Sequence, residues 1–241
     1  MKVEPVGTRA SAALNLLKRH RVLGAAPDSE LQSLIQRAQV VIVSEREILF
    51  RRGDPGRAVA VPLTGFIKLS TLEAGGKEVV LEICGPGSLF GELACLNNWP
   101  RAADAMALSD CEILSIPGEA LKAVLVRSPE AMFALLGVVS RRLTHATEQI
   151  RDGAALPGPA RLAKALVELA AAHAKPSGSR LVIEFALSQR ELGGMTGLSR
   201  ETINKQLAAW RDQGWIELSP GHIGLLAAES LRTLVDEALE A

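Results

Sequence analysis

At Pro117 the chain changes its hydrophobic rhythm. Before it, from Val40 to Ile116, short β-rich runs such as Val59 to Leu63, Gly65 to Thr71 and Val79 to Ile83 alternate with turn clusters. These lie at Gly53-Asp54-Pro55-Gly56, Gly75-Gly76 and Gly85-Pro86-Gly87. Short strands at that spacing predict a small β-roll or barrel. After Pro117 the pattern is helical. Ser128-Pro129-Glu130 supplies an N-cap, a proline at the first helical position and an early acid, so a long helix starts there. Apolar side chains then recur at Met132, Leu136, Val139, Leu143, Ala146 and Ile150, in alternating steps of four and three. That is the seam of a coiled coil. The expectation is a parallel homodimer along this helix; the other reading is an amphipathic helix packed on its own domain.

Gly153 to Pro159, with two prolines and two glycines, ends the helix and marks a domain boundary. The expected division is residues 1–127, carrying N-terminal helices at Ser11–Arg19 and Ser29–Ala38 and the roll, then a dimerisation helix at 128–152, then a C-terminal domain at 153–241. In that last part Ala160 to Ala174 reads as a helix, Lys175 to Arg180 as a loop and Leu181 to Ala186 as a strand. The fold class is α+β.

A length of 241 residues allows two hydrophobic cores. Although 48% of residues are apolar, no run approaches the roughly 18 that suggest a membrane span. The N-terminus has no apolar leader with a cleavage site. A soluble, cytoplasmic protein with no membrane partner is expected. Cys84, Cys95 and Cys111 are odd in number and lack C-x-x-C spacing, which predicts buried or idle thiols and neither a disulfide framework nor a zinc knuckle. Lysine plus arginine equal aspartate plus glutamate at 27 each, so any contact with nucleic acid must come from a local patch.

One such patch is legible. Ser188 can cap a helix from Gln189 to about Thr196, Gly197 allows a sharp turn, and Ser199 with Glu201 starts a second helix reaching Gln213. Leu192, Met195, Leu198, Ile203 and Leu207 sit where the two helices pack. That leaves Arg200, Glu201, Thr202 and Lys205 on the exposed start of the second helix, the part that enters a major groove. Arg200 can donate twice to guanine, Glu201 can accept from cytosine, and Thr202 and Lys205 can reach a base or phosphate. Ser188, Gln189, Arg190 and Ser199 complete the candidate DNA-binding set. Trp210 and Trp215 read as core residues. Trp215 to Leu218 and His222 to Leu226, joined by Ser219-Pro220-Gly221, read as a β wing, so a winged helix-turn-helix is expected.

Ser199-Arg200-Glu201-Thr202 and the wing closely resemble the DNA-binding domain of the cyclic AMP receptor protein and fumarate-nitrate reductase regulator family of bacterial transcription factors. The similarity reaches back through the long helix and the roll. Phe90-Gly91-Glu92-Leu93, followed by Pro100-Arg101-Ala102-Ala103, looks like that family's phosphate-binding cassette. The chemistry suits a cyclic nucleotide: Gly91 permits close backbone approach, Glu92 can accept from a ribose hydroxyl, and Arg101 matches a phosphodiester. Backbone N–H groups near Ala102 and Ala103 could complete the anion site. The competing reading is an ion pair between Glu92 and Arg101 that ties two loops together.

The resemblance implies a ligand site of Gly91, Glu92, Leu93, Arg101, Ala102, Ala103, Arg142 and Thr147. Ala102 stands where a threonine commonly accompanies cyclic GMP, so cyclic AMP is favoured and cyclic GMP is the second candidate. On the long helix the family's adenine-touching threonine and serine correspond to Ala146 and Thr147, so one base contact is missing. An N-terminal cysteine cluster and paired histidines are absent, so no metal, haem or iron–sulfur cluster is expected. The resemblance further implies double-stranded DNA as partner, a two-fold symmetric operator with TGTGA-like half-sites, and a hinge at Ile150 to Gly158 that sets the recognition helices roughly 34 Å apart. RNA polymerase is the implied protein partner, with His173 to Arg180 as candidate contact. The alternatives are a relative sensing another effector or none, and a regulatory subunit that controls an enzyme. No grouping of nucleophile, base and orienter supports an enzyme.

Overall fold

The computed structural model describes residues 1–178, 180–219 and 221–240. Two compact units result, one of residues 1–71 with 82–144, the other of residues 72–81 with those from 145 onward.

The first unit contains β1 (Lys2–Pro5), α1 (Ala10–Arg19), α2 (Asp28–Arg37), β2 (Gln39–Val43), β3 (Ile48–Phe50), β4 (Ala58–Thr64), β5 (Ile67–Leu72), β6 (Glu78–Cys84), α3 (Glu92–Asn97), β7 (Asp104–Ala107), β8 (Cys111–Pro117) and α4 (Gly118–Arg127). The strands β6 and β5 continue into residues 72–81. Two four-stranded sheets run in the orders β1-β2-β8-β4 and β3-β7-β5-β6, which is the expected β-roll. Strands β2, β8 and β4 of the first sheet are buried largely on both faces, and this is why they lack a clean polar alternation. Val41, Val43, Ala60 and Ile113 face a core shared with Ile67, Cys84, Phe90 and Ala105. Their strand neighbours Val40, Val59, Val61 and Leu114 face the other way, against Leu17, Leu31, Leu121 and Val124 of the helices. The three cysteines are free and buried.

The long helix α5 (Pro129–Ala155) starts where the cap predicts, with the Ala131 N–H donating to Ser128 Oγ at 3.3 Å. It continues past Asp152, so the expected end at 152 is corrected: Gly153 costs a helix only about 1 kcal/mol relative to alanine, and Pro157 is the residue that stops it. Ala131 and Leu135, with the partly buried Ala134 and Val138, pack into the first unit's core. The stripe of Met132, Leu136, Leu143 and Ile150 is exposed instead.

The second unit contains α6 (Gly158–His173), β9 (Ala174–Ser177), β10 (Arg180–Ile183), α7 (Gln189–Thr196), α8 (Arg200–Asp212), β11 (Ile216–Ser219), β12 (His222–Leu225) and α9 (Ala228–Glu240). Its sheet runs β11-β12-β10-β9. The first part of the expected loop from Lys175 to Arg180 is corrected to a strand, β9, which runs to Ser177: Arg180 pairs with Ser177 and Leu181 with Pro176. Pro176 disguised it, and β9 tolerates that proline because it is an edge strand. Ser179 of that stretch and Pro220 of the wing turn lie outside the described residues. The wing strands pair antiparallel, Ser219 opposite His222. Trp210 is buried and stacks on Trp215 with ring centroids 6.4 Å apart, as core residues do. Among the described residues no single helix is long and apolar enough to cross a membrane.

Candidate ligand pocket and nucleic-acid interface

In the first unit, Gly91 and Arg101 meet across a loop and a strand end. Gly91 adopts φ +80° and precedes α3; a Cβ there would lie 2.3 Å from Arg101 Nη1. Only glycine meets both demands. Arg101 is held from behind by its own backbone, whose N–H donates to the Asp54 carbonyl at 2.8 Å and whose carbonyl accepts from the Gly53 N–H at 2.9 Å. Its side chain donates from Nη1 to the Gly91 carbonyl at 3.0 Å and from Nη2 to the Ala58 carbonyl at 2.7 Å.

Arg101 is 8% exposed, yet among the described residues no carboxylate lies within ion-pair distance of it. Burial pushes its pKa below the usual guanidinium value, with the charges of Asp54 and Glu92 among those opposing the shift. Its Nε is buried without a partner. A desolvated cation with an unpartnered donor is chemically suited to an anion. The reading of Glu92 and Arg101 as an ion pair is therefore overturned: Glu92 pairs with Arg142 of α5, whose Nη1 donates to Glu92 Oε1 at 2.5 Å.

Glu92 is 1% exposed, and its second oxygen, Oε2, is buried with no partner. A hydroxyl donor would satisfy it. Arg142 also donates from Nη2 to Glu82 Oε1 at 3.3 Å and to the Leu89 carbonyl at 2.8 Å, and its Nε lies within ion-pair distance of Glu82 Oε2 at 3.0 Å. Burial lowers the Arg142 pKa, but the charges of Glu92 and Glu82 outweigh it and hold the value above the ordinary one. Glu82, paired with the arginine that holds Glu92, is a residue that sequence reasoning missed.

The remaining expected ligand residues divide. Ala103 is buried, whereas Ala102 and Leu93 are exposed, Leu93 at 44%. The structure thus brings together Gly91, Glu92, Arg101 and Arg142. Thr147 belongs to the second unit and is exposed on α5.

The second unit carries the helix-turn-helix. Ser188 Oγ accepts from the backbone N–H groups of Arg190 at 3.2 Å and Glu191 at 3.3 Å, while the Ser188 N–H donates to Glu191 Oε2 at 2.9 Å, a complete capping box. Gly197 at φ +74° closes α7. Ser199 then caps α8, accepting from the Thr202 N–H at 3.1 Å. Leu192, Ile203 and Leu207 are buried and Met195 and Leu198 partly so, as the packing reading requires. Arg200, Glu201, Thr202 and Lys205 are all exposed on the first turns of α8. Two partners were not anticipated. Arg200 Nε donates to Gln189 Oε1 at 2.7 Å, and Arg190 Nε pairs with Glu78 Oε2 at 3.2 Å.

Residues 40–128 match the cyclic nucleotide-binding domain family and residues 160–234 the Crp-like helix-turn-helix domain family. A CRP-like cAMP-activated global transcriptional regulator of Mycobacterium tuberculosis is 30% identical over 216 residues, spanning 90% of this chain and 96% of that one. The cyclic AMP receptor protein of Thermus thermophilus is 29% identical, over 88% and 94% of the two chains. A solved CRP/FNR family transcriptional regulator, also from Thermus thermophilus, superposes with a TM-score of 0.67 at 26% identity, covering 82% of this chain and 98% of that one. FixK2 from Bradyrhizobium japonicum shares the fold at a TM-score of 0.71 and 21% identity, over 82% and 96%. A buried cation without a counter-charge in one unit, a capped recognition helix in the other and two family matches in the same order lead to one assignment: the chain belongs to the CRP/FNR family of DNA-binding transcription regulators.

Proposed function

We propose that this regulator is controlled by a cyclic nucleotide, cyclic AMP in preference to cyclic GMP, held in the first unit. The observation that carries the reading is Arg101, a buried guanidinium whose partners are neutral carbonyls and whose Nε has none. The nucleotide supplies what the pocket lacks: a phosphodiester for Arg101 and a ribose hydroxyl for Glu92 Oε2. The backbone at Gly91, Ala102 and Ala103 lines the anion, and Arg142 neutralises Glu92. The names of the Mycobacterium and Thermus relatives support cyclic AMP.

The exposed stripe on α5 supports a homodimer, and a two-fold symmetric dimer requires a two-fold symmetric operator. Arg200, Glu201 and Lys205 read TGTGA-like half-sites, while Ser188, Gln189, Arg190, Ser199 and Thr202 serve phosphates and position the helix. RNA polymerase is the proposed protein partner, met by the segment from His173 to Arg180.

Calorimetric titration of the full chain with cyclic AMP and cyclic GMP, paired with mobility shift on operator DNA with and without nucleotide, tests the whole reading. Tight cyclic AMP binding that Arg101→Gln abolishes is the expected result. Normal affinity in that variant would remove the cassette assignment.

A further inference from the structure

We propose that Glu82 is a positioning residue of the nucleotide pocket: acting through Arg142, it fixes the carboxylate of Glu92 for the ribose hydroxyl. The inference rests on the cyclic nucleotide reading and adds a residue to it.

The argument lies in how Arg142 spends its five N–H donors. Toward Glu92 it offers one nitrogen, Nη1, at 2.5 Å from Oε1. A contact through one nitrogen does not set the plane of either group. What fixes the guanidinium lies on its other side, where Nε and Nη2 engage both oxygens of Glu82 at 3.0 and 3.3 Å and Nη2 also reaches the Leu89 carbonyl at 2.8 Å. A carboxylate that faces both Nε and Nη2, together with a carbonyl that accepts from Nη2, restrains the planar fork in orientation. The orientation is then passed to Glu92, whose free Oε2 is the buried acceptor. Glu82 acts through Arg142, toward which both of its oxygens are turned.

Glu82 as a mere surface ion pair makes a different prediction. Its side chain is 36% exposed, and pairs of that kind add little to stability. A structural role would give a small, general loss. A positioning role concentrates the loss in one ligand atom, the ribose 2′-oxygen. Replacing Glu82 also removes a negative charge near an anionic ligand, but that effect is shared by a ribonucleotide and its deoxy form and cancels in their ratio.

The experiment uses the full-length protein, and compares by calorimetry the affinities for cyclic AMP and 2′-deoxy cyclic AMP, or the guanine pair if cyclic GMP binds more tightly. Wild type, Glu82→Gln and Glu82→Ala are measured, with thermal melting to confirm folding. A hydrogen bond from the hydroxyl to a buried carboxylate should give the wild type about a tenfold preference for the ribose form. In Glu82→Ala the preference should fall below about twofold, and Glu82→Gln, whose amide oxygen can still accept from Nη2, should lie between. Affinity for the deoxy nucleotide should not fall. An undiminished preference in Glu82→Ala overturns the proposal while leaving nucleotide binding intact, as does a wild type with no preference. A wild type that binds neither nucleotide overturns the cyclic nucleotide reading itself.

Discussion

The guanidinium carbon of Arg101 stands 4.1 Å from the centre of the Phe50 ring. The negative face of the ring meets the buried cation where a carboxylate would otherwise be expected. The ring holds the fork in plane without neutralising it, so the charge stays available to a ligand anion. Phe50→Leu keeps apolar bulk and removes this support. Nucleotide affinity should drop about three- to tenfold, as expected for a partly desolvated cation–π contact. Loss of the Phe50–Phe90 pair, with ring centroids 6.1 Å apart, should also lower the melting temperature. Calorimetry and thermal melting measure the two effects separately.

Mild acid should destabilise the first unit through His20. Its Nδ1 accepts from the backbone N–H groups of Val22 and Leu23 at 3.1 and 3.0 Å. Burial first, and the nearby Arg142 charge second, push its pKa down from 6.5 to about 4. Between those values the unfolded chain binds a proton that the folded chain does not, so stability falls as pH drops through the window and is fully present above it. His20→Asn can still accept from both N–H groups without titrating. Its melting temperature should vary less with pH across that window than the wild type's, and parallel profiles would argue against His20 as the source.

At the DNA interface, Arg200→Ala should cost about 1–3 kcal/mol and relax preference at one base pair. Gln189→Ala removes the acceptor 2.7 Å from Arg200 Nε and should give a smaller loss at the same base pair, because the arginine remains but is less ordered. Mobility shifts on operators with single base changes would show whether the two losses fall at one position.

Leu136 is 55% exposed on α5. Leu136→Glu should shift the stability of an isolated chain by no more than about 0.5 kcal/mol, but a buried charge in a dimer seam should prevent association. Sedimentation velocity should then report a monomer, and operator affinity should fall with it. A variant that still sediments as a dimer would place the seam elsewhere.

The sequence made the second unit more legible than the pocket, for a physical reason. Helix caps and turns are local: Ser188, Gly197 and Ser199 act within three or four residues of themselves, and all three hold the expected places. The partner of Glu92 was not local. Arg101 is the nearer candidate in sequence, yet Arg142, 50 residues away, takes the ion pair. Glu82 was hidden for the same reason, its partner being 60 residues distant on another element. Strand β1 escaped notice because Lys2–Pro5 is mostly exposed and shows no apolar alternation; it forms by pairing with β2, Val3 opposite Val41.

The pairing of Arg190 with Glu78 within the second unit makes any phosphate contact by this arginine an exchange of one anion for another. The net gain is the difference between a phosphate and a carboxylate, and is smaller than a fresh contact would give. Glu78→Gln would leave the surface more cationic without touching Arg200. Attraction to DNA of any sequence should then rise while discrimination between sequences does not, as mobility shifts on operator and unrelated DNA would measure.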